Sequence, residues 1–323
     1  MDHNKINKLS DINSVKKSAP LVSILIPSFN HEKYIAECLE SVKSSDYQNL
    51  ELILLDDGSS DRTYEIAKDW ILANKDRFVK ASCSQQANTG ICNTLNCLVS
   101  SSRGEYISVL ASDDQLLPQG ISQQVSCALK SNADLLLSDA ELIDENGILI
   151  ASSAFRFFGK NVTRLKNRSL LHLDILLNWN PPYQHHFIKK ALFEKLGPYD
   201  TSYVIEDFDF CLRALVHANL GLCPHSTWRY RIRLSNRVSP GLDREEILSN
   251  VCSIRQNYLY NATGLDRIVL GALISSAGDN GGSSIFWARI LLELVRLFLK
   301  VVFWRPSNKR QWIFRSSKIS DKQ

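Results

Sequence analysis

The sequence predicts an α/β fold, a mainly parallel central sheet flanked by helices and followed by a helical C-terminal extension. Three observations predict it. Continuous apolar runs at residues 21–26, 52–55 and 106–110 lack polar alternation, as strands covered on both faces do. Stretches of helical period, such as Ile35, Leu39 and Val42, fill the intervals between the runs, and alternating strands and helices build a parallel sheet with right-handed crossovers. The first two runs also end in loops rich in Asp, Asn and Ser, and the third ends at adjacent aspartates. In open α/β sheets, functional groups gather at these strand ends.

Taken in order, the run 21–26 stops at Pro27, and the loop PSFNHEKY enters a helix for which Asn30 is the predicted N-cap. The second unit has a strand at 52–55, a turn through Asp56, Asp57, Gly58, Ser59 and Ser60, and a helix capped by Ser60 or Asp61. A third has a short strand at 78–83, the loop QQANTG and a helix at 91–101. Arg103 and Gly104 then lead to the strand YISVL, which ends at Ser112, Asp113 and Asp114. Beyond it come a buried strand at 133–137, a hairpin turn at 144–147 (DENG) and an irregular stretch over 155–200. In YVIEDFDFCLRAL, Phe208, Leu212 and Leu215 share a helical face, with Glu206 and Asp207 at its N-terminal edge. After the basic segment WRYRIRLSNR, helical spacing resumes at Ile247, Val251, Ile254 and Tyr258, ahead of the linker AGDNGGSS.

Of the 323 residues, 44% are hydrophobic and 22% charged, enough for the core of one large domain or two small ones. The net charge of +4 gives no case for nucleic acid. Residues 305–323, however, hold six basic side chains against the single acid Asp321. Eight scattered cysteines with no Cys-x-x-Cys pair indicate a reduced compartment, thiols used as small hydrophobes and no disulfide framework. Residues 1–20 have no apolar core, so they are expected to form a mobile tail and not a secretory signal.

Asp113 and Asp114 suit a hard cation, Mg²⁺ or Mn²⁺, which takes one or two carboxylates and completes its shell with water and phosphates. Capping a helix that begins near Pro118 is the competing role. Glu206 and Asp207 carry the same ambiguity, because a helix dipole favours acids in its first turn. Adjacent His185 and His186 point in different directions on any regular element, which argues against a two-histidine metal site and for surface polarity or a substrate contact.

Four segments together resemble the family 2 glycosyltransferases of the GT-A (nucleotide-diphospho-sugar transferase) fold, of the bacterial O-antigen and capsule type. These are VSILIPSFNHEKYIAECLESV, ELILLDDGSSDRT, GEYISVLASDD and GPYDTSYVIEDFDFCLRA, a likeness spanning about residues 21–235. The resemblance implies that Asp57 contacts the base or ribose of a nucleotide-sugar donor, with Pro27, Ser28, Asn30 and Asn88 shaping its pocket. Ser112 and Asp113 would also face the donor, Asp113 and Asp114 would hold the cation, Asp207 would be the catalytic base and Glu206 would orient it or the acceptor. Inversion at the anomeric carbon and a glycan acceptor, lipid-linked, follow from the same likeness. Three positions depart from the pattern: Ala111 replaces the first carboxylate of Asp-x-Asp, Leu95 an arginine after the Asn-x-Gly loop, and Arg233 a histidine after Tyr-Arg. Arg231 or Arg233 would then take the phosphate. Trp179 and Tyr183 would stack on a sugar or belong to the core. The absence of a Gly-rich loop after the first strand argues against a sugar nucleotidyltransferase, and no Gly-x-Gly-x-x-Gly supports a dehydrogenase. A degenerate member acting as a binding partner is the alternative, opposed by the presence of all four aspartates.

The expected organisation is a tail at 1–20, a catalytic domain at 21–240 with a nucleotide half (21–130) and an acceptor half (131–240), a helical extension and linker at 241–284, and a membrane-associating segment at 285–323. In that last segment Arg289, Glu293, Arg296 and Lys300 fall on one narrow helical face. A spanning helix would bury several charges, whereas an interfacial one buries none. The expectation is therefore a cytoplasmic protein held peripherally on the anionic inner face of the membrane. Packing against the catalytic domain or a second copy of the chain is the alternative.

Overall fold

The structure, a computed structural model, describes residues 19–177, 179, 183–232, 244–277 and Leu294. Its first half follows the predicted alternation: β1 (Val22–Ser28), α1 (Ile35–Lys43), β2 (Leu50–Asp56), α2 (Thr63–Asn74), β3 (Lys80–Gln85), α3 (Ile91–Ser101) and β4 (Tyr106–Val109). The order β3-β2-β1-β4 is parallel throughout. Val22, Ile24 and Ile26 face one apolar layer with α1, α2 and α4 (Gly120–Ser131), while Leu25, Ile53 and Ile107 face another with α3. Burial on both faces is why these runs do not alternate, and each such side chain fully buried stabilises the fold by roughly 1.5–3 kcal/mol.

Pro27 does not end β1, as the sequence reading expected; it pairs with Leu55 of β2. Leu110 N–H donates to the Leu25 carbonyl, so by strand alternation the side of Pro27 without an N–H faces β4, which ends there. Proline is tolerated in this central strand because its neighbour on that side has stopped. Three predicted caps also change: Arg62, not Ser60 or Asp61, precedes α2, with no side-chain cap. Tyr34, not Asn30, precedes α1, and α4 starts at Gly120 without a side-chain cap, which removes the capping role proposed for Asp113 and Asp114.

The second half is more regular than expected. It contains β5 (Gln115–Leu116), α4, β6 (Leu135–Ile143), β7 (Leu149–Ala151), α5 (Ala154–Phe157), α6 (Val162–Leu165), α7 (Arg168–Leu177), β8 (His186–Lys189), α8 (Ala191–Leu196), α9 (Glu206–His217) and β9 (Leu220–Arg231). β8 lies antiparallel between β4 and β6, β6 and β9 run parallel, β5 pairs antiparallel with β9, and β7 pairs antiparallel with β6. Parallel pairing thus dominates the first half, and mixed pairing the second. The DENG hairpin forms as predicted, with Gly147 at φ +80°.

Helices α10 (Arg244–Asn261) and α11 (Gly264–Ala277) are not a detached extension. Their Ile254, Tyr258, Val269 and Leu270 share one apolar cluster with Phe208, Leu212 and Leu176. Among the described residues no helix is long and apolar enough to cross a membrane. The predicted N-terminal tail, apart from residues 19 and 20, and the membrane-associating segment, apart from Leu294, lie outside the described residues, as does Arg233.

Candidate active site

β1 and β2 end side by side, with Ser28 opposite Asp56. The Asp56 carboxylate accepts from Ser28 Oγ (3.0 Å), Ser59 N (2.9 Å), Ser59 Oγ (2.6 Å) and Gln85 Nε2 (3.0 Å), closing the turn after β2. Asp57 faces the loop before α3 and accepts from Gln86 Nε2 (2.8 Å), Thr89 N (2.9 Å) and Gly90 N (2.9 Å). Burial alone would raise its pKa, but these hydrogen bonds outweigh burial and hold it below the usual carboxylate range. Between the two aspartates and that loop, Gly58 adopts φ +77°, and a Cβ there would sit 2.9 Å from Asn88 N. The position therefore requires glycine twice over, for its dihedral and for its space. Asn88 itself is exposed. Asn30, at φ 53°, accepts from Ser60 N (2.8 Å), and its own N–H donates to Ser59 Oγ (2.8 Å), latching the loop after β1 to the loop after β2.

Past β4, Ala111 is exposed where a carboxylate was expected. Ser112 is buried, with Oγ 2.8 Å from His31 Nδ1, and His31 Nε2 lies 3.8 Å from Asp113 Oδ2. Asp114 turns inward and accepts Arg231 N–H at 2.9 Å. The buried Arg231 side chain donates to the carbonyls of Asp113 (Nε, 2.7 Å), Asp144 and Glu145, and to Glu37 Oε2 (2.6 Å), with its guanidinium 4.7 Å from the centre of the Tyr34 ring. The phosphate contact expected of Arg231 does not fit this arrangement. Its donors fasten the aspartate loop to β9 and α1 instead. Leu95, at the family's arginine position, is 2% exposed within the core.

The third group stands at the start of α9. Tyr199 and Tyr203, just ahead of it, are tied to α3: Asn96 bonds both the Tyr199 carbonyl and amide (2.9 Å each), and Cys92 Sγ donates to Tyr203 O at 3.1 Å. From α10, Asn250 accepts Val204 N–H (3.0 Å) and Asn257 donates to the Tyr203 hydroxyl. Helix α3 thus connects the loop held by Asp57 to Glu206 and Asp207. Burial pushes Glu206 up to about 7, and burial together with the Glu206 charge pushes Asp207 well above the carboxylate range, against a hydrogen bond from Phe208 N–H at 2.7 Å. Raised carboxylates with few donors are suited to taking a proton.

His185 and His186 do point apart, but neither is at the surface. Both are buried, which depresses them to about 3 and about 4. His185 stacks on Trp228 (4.9 Å) and lies 3.2 Å from Ser108 Oγ. Trp179 packs on Tyr183 (5.5 Å) and Phe208 (5.3 Å), so both aromatics belong largely to the core. Trp179 Nε1 and His186 Nε2 are buried without a hydrogen-bond partner.

The sequence profile of glycosyl transferase family 2 matches residues 23–195, more than half the chain. The chain belongs to glycosyl transferase family 2. An uncharacterized glycosyltransferase of Haemophilus influenzae is 27% identical to it over 271 residues, covering 80% of each chain. Glycosyltransferase GlyG of Streptococcus pneumoniae is 32% identical over 126 residues, 39% of this chain and 41% of the relative. Staphylococcus aureus TarS 1-349 in complex with UDP-GlcNAc matches in structure with a TM-score of 0.60 at 22% identity, covering 79% of this chain and 71% of that one. The likeness is one of fold, the GT-A fold expected from the sequence. In this glycosyltransferase Asp57, Asp113 and Asp114 lie within the matched span, whereas Glu206 and Asp207 lie beyond it. The sequence reading missed His31 and Glu37, whose positions in a loop and on an exposed helical turn carried no signal. Only tertiary structure places them against Ser112 and Arg231.

Proposed function

We propose that this enzyme moves a sugar from a nucleotide-diphosphate donor, a UDP-sugar, to a hydroxyl of a lipid-linked glycan, with inversion, in surface polysaccharide biosynthesis. The single observation that carries the reading is the Glu206–Asp207 pair, Asp207 buried and Glu206 half-buried, at the start of a helix whose lead-in is tied to α3, the helix that begins at the loop Asp57 organises. The complexes of TarS with UDP and with UDP-GlcNAc support the donor class. In this reading Asp207 takes the acceptor hydroxyl's proton as its oxygen attacks the anomeric carbon from the face opposite the diphosphate. The anomeric carbon–oxygen bond breaks, and its electron pair leaves with the nucleotide diphosphate. Glu206 keeps the base or the acceptor oriented.

Asp113 and Asp114 fit a hard cation as an oxygen donor set, Asp113 better, because Asp114 already receives the Arg231 amide. Among the described residues no three His, Cys, Asp or Glu side chains form a cage, so Mg²⁺ or Mn²⁺ would rely on donor phosphates. When bound, such a cation offsets the charge on the departing diphosphate. Peripheral attachment through residues 285–323 completes the proposal. Deleting them should abolish sedimentation with anionic vesicles, and unchanged sedimentation would remove this part.

The deciding experiment is a thermal-shift panel of nucleotide-sugars with and without Mn²⁺, since a ligand of the native state raises its melting temperature. A UDP-sugar should protect, and more strongly with the metal. Protection by no nucleotide-sugar would overturn the reading.

A further inference from the structure

Outside the site, two thiols meet across the α4–β9 contact. Cys127 of α4 and Cys223 of β9 are 96 positions apart, yet their sulfur atoms are 2.9 Å apart. Both are free thiols; Cys223 is fully buried and Cys127 partly exposed. The elements around them already touch closely: a Cβ on Gly120, at the head of α4, would overlap the Thr227 carbonyl of β9, and Gln124 bonds Thr227 Oγ1 at 3.1 Å. A sulfur–sulfur bond measures about 2.05 Å, so under about 1 Å of movement separates this contact from a covalent link.

We propose that Cys127 and Cys223 form a reversible disulfide that staples α4 to β9 when the protein meets a low-molecular-weight disulfide oxidant. Cys127 is the accessible, attacking thiol. The Cys223 contact and then Lys130 and Lys166 bring it down to about 7, while the same contact and burial push Cys223 up. The Cys127 thiolate attacks one sulfur of the oxidant RSSR, forming a mixed disulfide and releasing RS⁻. Cys223 gives its proton to that RS⁻ and attacks the Cys127 sulfur, expelling the second RS⁻, which takes the proton Cys127 had lost. Two protein thiols are oxidised, and one RSSR becomes two RSH. The closeness of Cys223 makes the second step intramolecular, so the mixed disulfide does not accumulate. α4 follows the loop carrying Asp113 and Asp114, and β9 carries the Arg231 amide that holds Asp114. The staple therefore joins two supports of that loop.

The test treats the full chain with glutathione disulfide, then maps peptides without reduction and records melting temperature; no substrate is needed, so its outcome is independent of the proposed activity. A 127–223 cross-linked peptide should appear, with melting raised by about 5–10 °C and restored by dithiothreitol. Exposed Cys97 serves as the internal control and should carry glutathione. Cys223→Ser should leave Cys127 glutathionylated with no rise in melting, and its reduced form should melt close to the parent. Cys127 recovered as a thiol or mixed disulfide in the parent chain while Cys97 is fully modified would overturn the proposal, as would a cross-linked protein that melts lower.

Discussion

Asp57 and Asp207 are nearly equally buried, 6% and 8% exposed, yet their affinities for protons move in opposite directions. Around Asp57 the chain supplies two backbone amides and the Gln86 amide group, enough to keep the carboxylate charged. Around Asp207 it supplies the Phe208 and Asp207 backbone amides but no side-chain donor, together with deep burial and a second acid. Surface exposure alone therefore does not decide what a carboxylate does; how densely protein surrounds it and how many donors face it do. The well-satisfied aspartate organises a loop, and the poorly satisfied one is left with reactivity to spend.

The sharpest way to break this comparison is Asp207→Asn. It keeps size and much of the hydrogen bonding but cannot accept a proton, so turnover should fall by about 10²–10⁴-fold while nucleotide affinity by titration stays unchanged. Near-normal turnover with an intact fold would return Glu206 and Asp207 to the role of helix-start acids. Next comes Asp113→Ala, with an expected loss of about 10²-fold in turnover that excess Mn²⁺ partly restores. Asp114→Ala should lose stability as well, by about 1–3 kcal/mol, because the buried Arg231 amide loses its acceptor. Equal melting temperatures for the two variants would contradict the division between an outward Asp113 and an inward Asp114.

The first half was legible because its signals are local. Apolar runs set β1, β2 and β4, turn residues set the Asp56–Asp57–Gly58 bend, and all three landed at one edge of the sheet. In the acceptor half, β8 hides in QHHFIKK and β9 in a basic segment, since neither alternates nor runs apolar. Their strand character comes from neighbours: β8 is held between β4 and β6, and β9 lies along β6. The burial of His185 and the capture of Arg231 by three carbonyls are likewise products of assembly, invisible in a window of sequence.

Arg231 supplies the next test, because a clamp and a phosphate ligand respond differently to lysine. Lysine keeps the charge but loses the planar fork, so Arg231→Lys should destabilise the chain almost as much as Arg231→Ala, by about 3 kcal/mol in denaturant titration. Full stability in the lysine variant with weakened donor binding only in the alanine variant would restore the phosphate role. A smaller effect is expected at Asp57: Asp57→Ala frees the loop at Thr89 and Gly90 and should weaken nucleotide affinity about tenfold, with turnover at saturating donor nearly kept.

The last prediction uses pH to separate the two carboxylate environments within one sample. In the unfolded chain Glu206 and Asp207 lose their protons near their ordinary values of about 4.3 and 3.9, whereas in the folded protein Glu206 holds its proton to about 7 and Asp207 is raised as well. Between those limits the folded state binds more protons than the unfolded state, so this pair's contribution to stability is largest below the unfolded values and falls as pH rises, through about 7 for Glu206 and on until Asp207 has ionised as well. Catalysis runs the other way, because only the ionised base accepts a proton. Turnover at saturating donor should climb up to about tenfold per pH unit below the pair's upper titration and then flatten. Asp57, with its pKa lowered, is already charged across this range and contributes to neither slope. The Glu206→Gln, Asp207→Asn double variant should have a flatter melting-temperature profile between pH 5 and 8 than the parent. Parallel profiles for parent and variant would mean that the pair is solvated in solution, and the contrast with Asp57 would collapse.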